Sequence, residues 1–143
     1  MKDDPFDLER FIAAQDPVYG RVTGELRQGR KQTHWMWFIF PQIAGLGRSA
    51  MAERYAIRSV DEARAYLAHT LLGGRLRECT RLVLDVEGRT VSQIFGNPDD
   101  LKFRSSMTLF AREERLFQDA LDKYFGSEAD TATLTLLGDR HGH

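Results

Sequence analysis

The stretch that decides the fold is LLGGRLRECTRLVLDVEG, residues 71–88. Four apolar side chains recur in it at intervals of three and four residues, which places them on one face of a helix: Leu72, Leu76, Cys79 and Val83. Gly88 follows the pattern, as glycine commonly does just past the end of a helix. The spacing therefore predicts an amphipathic helix over about residues 71–86.

The segment before it carries a signal for a helix start. Residues 59–62 read SVDE, in which Ser59 can cap a helix and Glu62 can reach back to the Ser59 amide as a capping box. Ala63, Tyr66 and Leu67 follow at helical spacing. A second helix is predicted from Ser59 to the region of His69, whose side chain we expect to cap terminal carbonyls.

Similar signals recur along the rest of the chain. Further helices are predicted from capping residues, prolines, glycines and apolar stripes: one capped by Asp7, then 17–28, 49–55, 90–96, 98–109, 113–125 and 130–137. Many short helices without a repeat predict an all-α or mostly α fold, compact and irregular, with at most a minor strand near Trp37 or Tyr55. We expect one domain over 1–143, with an ordered core over about 4–137 and a flexible tail over 138–143.

Composition limits the function classes. The chain has 143 residues, 42% hydrophobic and 29% charged, which is typical of a globular domain. Its 20 basic and 21 acidic residues give a net charge of -1, so neither nucleic acid nor an anionic membrane is an expected partner. Cys79 is the only cysteine, so no intrachain disulfide forms and a cytoplasmic location is expected.

Other absences in the sequence lead to further expectations. The longest apolar run, Trp35 to Phe40, is far shorter than the ~20 residues that a membrane helix needs. The four histidines show no metal-ligand spacing, so neither a metal nor a cofactor is predicted. We expect a monomer or a homodimer.

The densest apolar run is HWMWFIFPQ, residues 34–42. Its periodicity does not distinguish helix from strand, because nearly every position is apolar. Two interpretations are open: the run is core, or Trp35 and Trp37 stack against a ligand while His34 transfers a proton as a candidate catalytic residue.

Three further groups of residues are candidate ligand contacts. Gly45, Gly47, Arg48 and Ser49 form a glycine-rich loop before a helix, where amides and a guanidinium attract anions; the alternative is an ordinary turn with a helix cap. Lys102, Arg104 and Ser105 belong to a helix face rich in donors; the alternative is a solvated face with hydroxyls bonded back to carbonyls. Arg30 lies in a basic turn, which is either part of a site or a solvated loop.

Several strings together resemble a bacterial family, domain of unknown function 1810: GRKQTHWMWFIFPQIAGLGRS (29–49), DEARAYLAHTLLGGRLREC (61–79) and DDLKFRSSMTLF (99–110). The resemblance extends from about residue 4 to 137 and implies a mostly helical single domain without an established activity. An old label of the family, calpastatin-like, disagrees with this composition, because inhibitors of that type are extended and disordered.

Two functions are compatible with these observations. In the first, the candidate residues surround one pocket that binds, and in an enzyme would process, a small anionic ligand of nucleotide or sugar-phosphate type. In the second, the aromatic run forms a patch for a protein partner in a module without catalytic activity. Burial of Trp35 and Trp37 distinguishes the two, because a patch requires both rings to be exposed. Whether the protein is an enzyme is not decided by the sequence.

Overall fold

The computed structural model describes residues 3–138. Within that range the chain forms ten helices and no strand: α1 (Glu9–Gln15), α2 (Tyr19–Arg27), α3 (Met36–Ile39), α4 (Ala50–Arg54), α5 (Val60–Ala68), α6 (Thr70–Leu84), α7 (Val91–Phe95), α8 (Asp99–Ala111), α9 (Arg115–Phe125) and α10 (Thr131–Leu136). The predicted mostly helical fold is confirmed. The flexible tail predicted over 138–143 lies, except for Gly138, outside the described residues.

Helix α6 runs through the centre of the fold. The four residues of its predicted apolar face are all buried, at most 1% exposed: Leu72, Leu76, Cys79 and Val83. α6 packs against α2, α3, α5 and α9, while α8 contacts α7, α9 and α10. No helix within residues 3–138 combines the length and the hydrophobicity that crossing a bilayer requires.

Local capping signals were confirmed at several helix starts. Ser49, Ser59 and Thr90 each accept a hydrogen bond from a backbone amide three residues later, and Thr90 forms a complete capping box with Gln93. Asp130 caps α10 through the Thr133 amide.

Three capping predictions were wrong in detail. Asp4, not Asp7, caps α1, because its two carboxylate oxygens accept from the amides of Leu8 and Glu9. Glu62 accepts from the Arg58 amide instead of the Ser59 amide. The Nδ1 atom of His69 accepts from Leu72 and so caps the start of α6, whereas we predicted that it caps the end of a helix.

The aromatic run becomes one helical turn, α3, and packs into the core. It leads to a crossing of two loops, where Ile57 donates to the Gln42 carbonyl and accepts from the Ala44 amide, both at 2.8 Å. This isolated parallel bridge between Ile43 and Ile57 belongs to no strand within 3–138. The crossing holds the loop after α3 beside α4.

Candidate functional site

A cavity of about 360 Å³ lies beside the Ile43–Ile57 bridge. Its apolar lining consists of the Trp37 ring with Ile43, Ala44, Ala52, Tyr55 and Ala56. Its polar lining consists of Gln42, Arg48, Glu53 and Arg58, and the backbone of Gly45 and Gly47 completes the wall. The cavity therefore combines a flat aromatic surface with charged groups at its edge.

The two arginines of this cavity have no side-chain partner among the described residues. Neither Arg48 nor Arg58 forms a side-chain hydrogen bond or an ion pair with any residue in 3–138, and both are exposed. The Gln42 side-chain amide also has no hydrogen-bond partner in that range. Glu53 supplies the acidic side chain of the lining. These groups can therefore bind a ligand without breaking bonds inside the protein.

The loop that carries Arg48 depends on two glycines. Gly45 has a φ of 103°, which favours glycine, and an added Cβ would lie 3.2 Å from the Leu136 side chain of α10. At Gly47 an added Cβ would lie 2.6 Å from the Cβ of Ala52 in α4. The loop thus passes so close to α4 that a side chain at position 47 does not fit.

The start of α4 is capped by a side chain of the glycine-rich loop, which is the alternative to an anion site that the sequence left open. The Ser49 hydroxyl accepts the Ala52 amide at 3.1 Å, and α4 has only five residues. Ser49 therefore has the role of a helix cap, and Arg48 remains as the polar side chain that this loop directs to the cavity lining.

Lys102 meets the aromatic run at Trp37. Its Nζ atom lies 5.1 Å from the centre of the Trp37 ring and 3.4 Å from a carboxylate oxygen of Asp99. The other carboxylate oxygen of Asp99 lies 2.8 Å from the Nζ atom of Lys31. Trp37 is therefore the residue that connects the Lys102 region to the cavity.

The rest of the predicted donor face on α8 stabilises the fold. The Ser105 hydroxyl donates to the Leu101 carbonyl at 3.2 Å and is buried. The Arg104 guanidinium donates to the carbonyls of Glu128 and Ala129, at 3.0 and 3.2 Å, and so holds the segment before α10. Of the two interpretations of this face, an anion pocket or hydroxyls bonded back to carbonyls, the Ser105 bond matches the second, and Arg104 has a structural role.

The remaining predicted contacts are placed away from the cavity. Trp35 is 1% exposed and its indole nitrogen donates to Glu25, so its ring is core and does not reach a ligand in the cavity. His34 and Arg30 are exposed, and neither lines the cavity. The structure thus brings Trp37, Gly45, Gly47 and Arg48 together, with Lys102 beside them, and leaves the other predicted residues outside.

The model of one protein family, described as protein of unknown function (DUF1810), matches residues 5–137. The chain belongs to this family. The crystal structure of the conserved hypothetical protein Rv1873 from Mycobacterium tuberculosis is similar to this DUF1810 chain, with 58% sequence identity and a TM-score of 0.93. The match covers 94% of this chain and 99% of that one. No curated protein shows significant similarity.

Sequence reasoning missed three polar side chains of the cavity: Glu53 on α4, and the pair Gln42 and Arg58. Gln42 and Arg58 belong to the loops that cross at the Ile43–Ile57 bridge, and nothing local indicates that these loops meet. It also missed Glu25, which is buried and fixes the turn before Trp35. A signal for Glu25 was present, since Val22, Glu25 and Leu26 share one face of α2 and an acid is unusual there.

Within residues 3–138, neither Cys79 nor a cluster of metal-ligating side chains forms a second reactive centre. Burial raises the pKa of the Cys79 thiol to about 12, so it is not a nucleophile at neutral pH. Among residues 3–138, no group of three or more His, Cys, Asp or Glu side chains is arranged to hold a metal ion.

Proposed function

We propose that this protein binds a small anionic ligand of the nucleotide or sugar-phosphate class in the cavity between Trp37 and Arg48. One observation carries the proposal: the guanidinium groups of Arg48 and Arg58, both without a partner in residues 3–138, line the same cavity. The single cysteine, which rules out an intrachain disulfide, supports a cytoplasmic location for this binding protein.

The chemistry of the lining suits such a ligand. A guanidinium presents a planar fork of donors that matches phosphate or carboxylate oxygens. The Trp37 ring offers a flat surface for a base or a sugar, and the Gln42 amide can both donate and accept. The volume of about 360 Å³ lies within the range of about 300–1,000 Å³ that is usual for small-molecule sites.

The alternative of an aromatic interaction patch has less support. Trp35, Phe38 and Phe40 are buried, so the aromatic run packs inside the molecule and only Trp37 is partly exposed. The proposal is limited to binding, because the candidate proton-transfer residue His34 does not line the cavity.

A thermal-shift assay tests the proposal. The probes are inorganic phosphate, nucleoside monophosphates and diphosphates, and sugar phosphates. By mass action a ligand at a hundredfold excess over its dissociation constant stabilises the folded state by about 2.7 kcal/mol. We expect at least one nucleotide or sugar phosphate to raise the melting temperature of the unmodified protein.

Three variants decide whether the effect comes from this cavity. Arg48→Ala and Arg58→Ala should each reduce the shift, because each removes one of the two unpartnered cations. Arg27→Ala is the matched control, since Arg27 is exposed at the end of α2 and does not line the cavity. The proposal is wrong if none of the probes stabilises the protein, or if a shift persists unchanged in both cavity variants.

A further inference from the structure

A second cavity, of about 600 Å³, adjoins the first, and Arg58 lines both. Arg48 lines the first cavity only, and Arg54 lines the second only. We propose, on the basis of the proposed function, that the ligand has two arms joined by a diphosphate. The diphosphate lies at Arg58, one arm is a nucleoside in the first cavity, and the other arm is a hydroxyl-rich group such as a sugar in the second.

The second cavity is built around a fixed ion pair. Arg10 lies 2.8 Å from one carboxylate oxygen of Glu62, and it also donates to the carbonyls of Phe6 and Ala56. The other oxygen of Glu62 accepts the Arg58 amide at 3.0 Å. Arg10 and Glu62 therefore neutralise each other and hold the backbone of Arg58 in place between the two cavities.

Arginines without an ion pair among residues 3–138 line both cavities, and we place the diphosphate at Arg58, which the two cavities share. Arg54 and Arg58 are both exposed and form no side-chain hydrogen bond or ion pair with residues in 3–138; the Arg54 guanidinium lies 5.6 Å from the centre of the Tyr55 ring. Arg48, which lines the first cavity, is a third such cation. A single phosphate can engage the cations of one cavity, whereas a diphosphate at the shared residue can engage those of both.

The linings of the two cavities differ, and this difference indicates which arm of the ligand lies in which cavity. The first has the Trp37 ring and several apolar side chains, which suit a flat base. The second presents the Asp7 carboxylate and the Ser59 hydroxyl. Asp7 has no hydrogen-bonded partner for its carboxylate among the described residues, so it can accept from the hydroxyl groups of a sugar.

Isothermal titration calorimetry on the full chain tests this inference with two matched series: AMP, ADP and ADP-glucose, and UMP, UDP and UDP-glucose. Two series are used because the lining does not select a base. We expect one nucleotide sugar to bind at least about tenfold more tightly than its own monophosphate, since it gains contacts in the second cavity.

Three variants test whether the tighter binding of the nucleotide sugar comes from the second cavity. Arg54→Ala should reduce the affinity ratio of nucleotide sugar to monophosphate by about tenfold. Arg48→Ala should weaken both compounds, and Arg27→Ala should change neither. Circular dichroism confirms that each variant is folded; Arg54 is exposed, so its truncation leaves the core intact.

The outcomes separate this inference from the proposed function. A monophosphate that binds as tightly as its nucleotide sugar, or a ratio that Arg54→Ala does not reduce, overturns the two-armed ligand and leaves the anion site standing. If no compound of either series binds, the two-armed ligand is overturned, and the anion site then depends on the other probes of the thermal-shift assay.

Discussion

The indole nitrogen of Trp35 donates a 2.9 Å hydrogen bond to a carboxylate oxygen of Glu25. The same carboxylate accepts the amide of Gln32 at 2.8 Å and both the amide and the hydroxyl of Thr33, at 3.1 and 2.7 Å. The Glu25 side chain of α2 thus holds residues 32–35, the turn that leads into α3. Because α3 carries Trp37, the position of the cavity wall depends on Glu25.

The first prediction concerns Glu25 and pH. Burial alone would raise the pKa of Glu25, but hydrogen bonds from Gln32, Thr33 and Trp35 outweigh burial and hold the pKa below its ordinary value of 4.5. The stabilisation is therefore fully present above about pH 4.5 and is lost as the pH falls through the lowered pKa of the folded state. Glu25→Gln should lower the free energy of unfolding by about 3 kcal/mol at neutral pH. In the variant this free energy should also fall less steeply as the pH is lowered.

Urea denaturation at a series of pH values measures this effect. The control is Glu87→Gln, since Glu87 is exposed and makes no hydrogen bond or ion pair with the described residues. An acid profile of Glu25→Gln that is parallel to that of the unmodified protein would show that the Glu25 carboxylate is not the stabilising group.

The second prediction uses the different exposure of the two tryptophans. Trp37 is partly exposed and lines the cavity, whereas Trp35 is 1% exposed. Acrylamide should quench the emission of Trp37 and leave that of Trp35 almost unchanged. A ligand identified by thermal shift should reduce quenching in the unmodified protein and have no such effect in Trp37→Phe. Equal protection in both proteins would mean that the ligand binds elsewhere.

The third prediction compares two glycines. Gly47→Ala places a Cβ 2.6 Å from the Cβ of Ala52, so the loop or α4 has to move, at a cost of about 1–3 kcal/mol. Gly74 lies on the exposed side of α6 with no atom within 4 Å of an added Cβ, so Gly74→Ala should stabilise by about 0.5–1 kcal/mol. Thermal denaturation measures both. Similar melting temperatures for the two variants would contradict the close approach of the loop to α4.

The fourth prediction concerns two hydroxyls of α8. Ser106 is buried and its hydroxyl has no hydrogen-bond partner among the described atoms, so Ser106→Ala should be neutral or stabilise by up to about 1 kcal/mol. The Thr108 hydroxyl donates to the Arg104 carbonyl and accepts the Asp130 amide, each at 2.8 Å. Thr108→Val should therefore cost about 1–2 kcal/mol. Chemical denaturation distinguishes them, and a large loss in Ser106→Ala would reveal a role for its hydroxyl.

Much of the fold could be predicted from the sequence because the deciding interactions are local. The apolar face of α6 follows from a 3.6-residue period, and the caps at Ser59 and Thr90 join residues three positions apart. At the start of α1 the local capping rule selected the wrong residue, because a second acid lies nearby in the sequence. Asp4 and Asp7 are both able to cap α1, and the chain path selects Asp4.

The candidate site could be predicted only in part. The sequence by itself determined that Arg48 follows a flexible glycine loop and that an aromatic run precedes it. Only the tertiary structure decided that Trp35 is core while Trp37 faces the cavity, and that Arg58 lines the same cavity as Arg48. The physical reason is range: helices form from contacts within one or two turns, whereas the cavity exists because the loops at Ile43 and Ile57 are bonded across fourteen positions of chain.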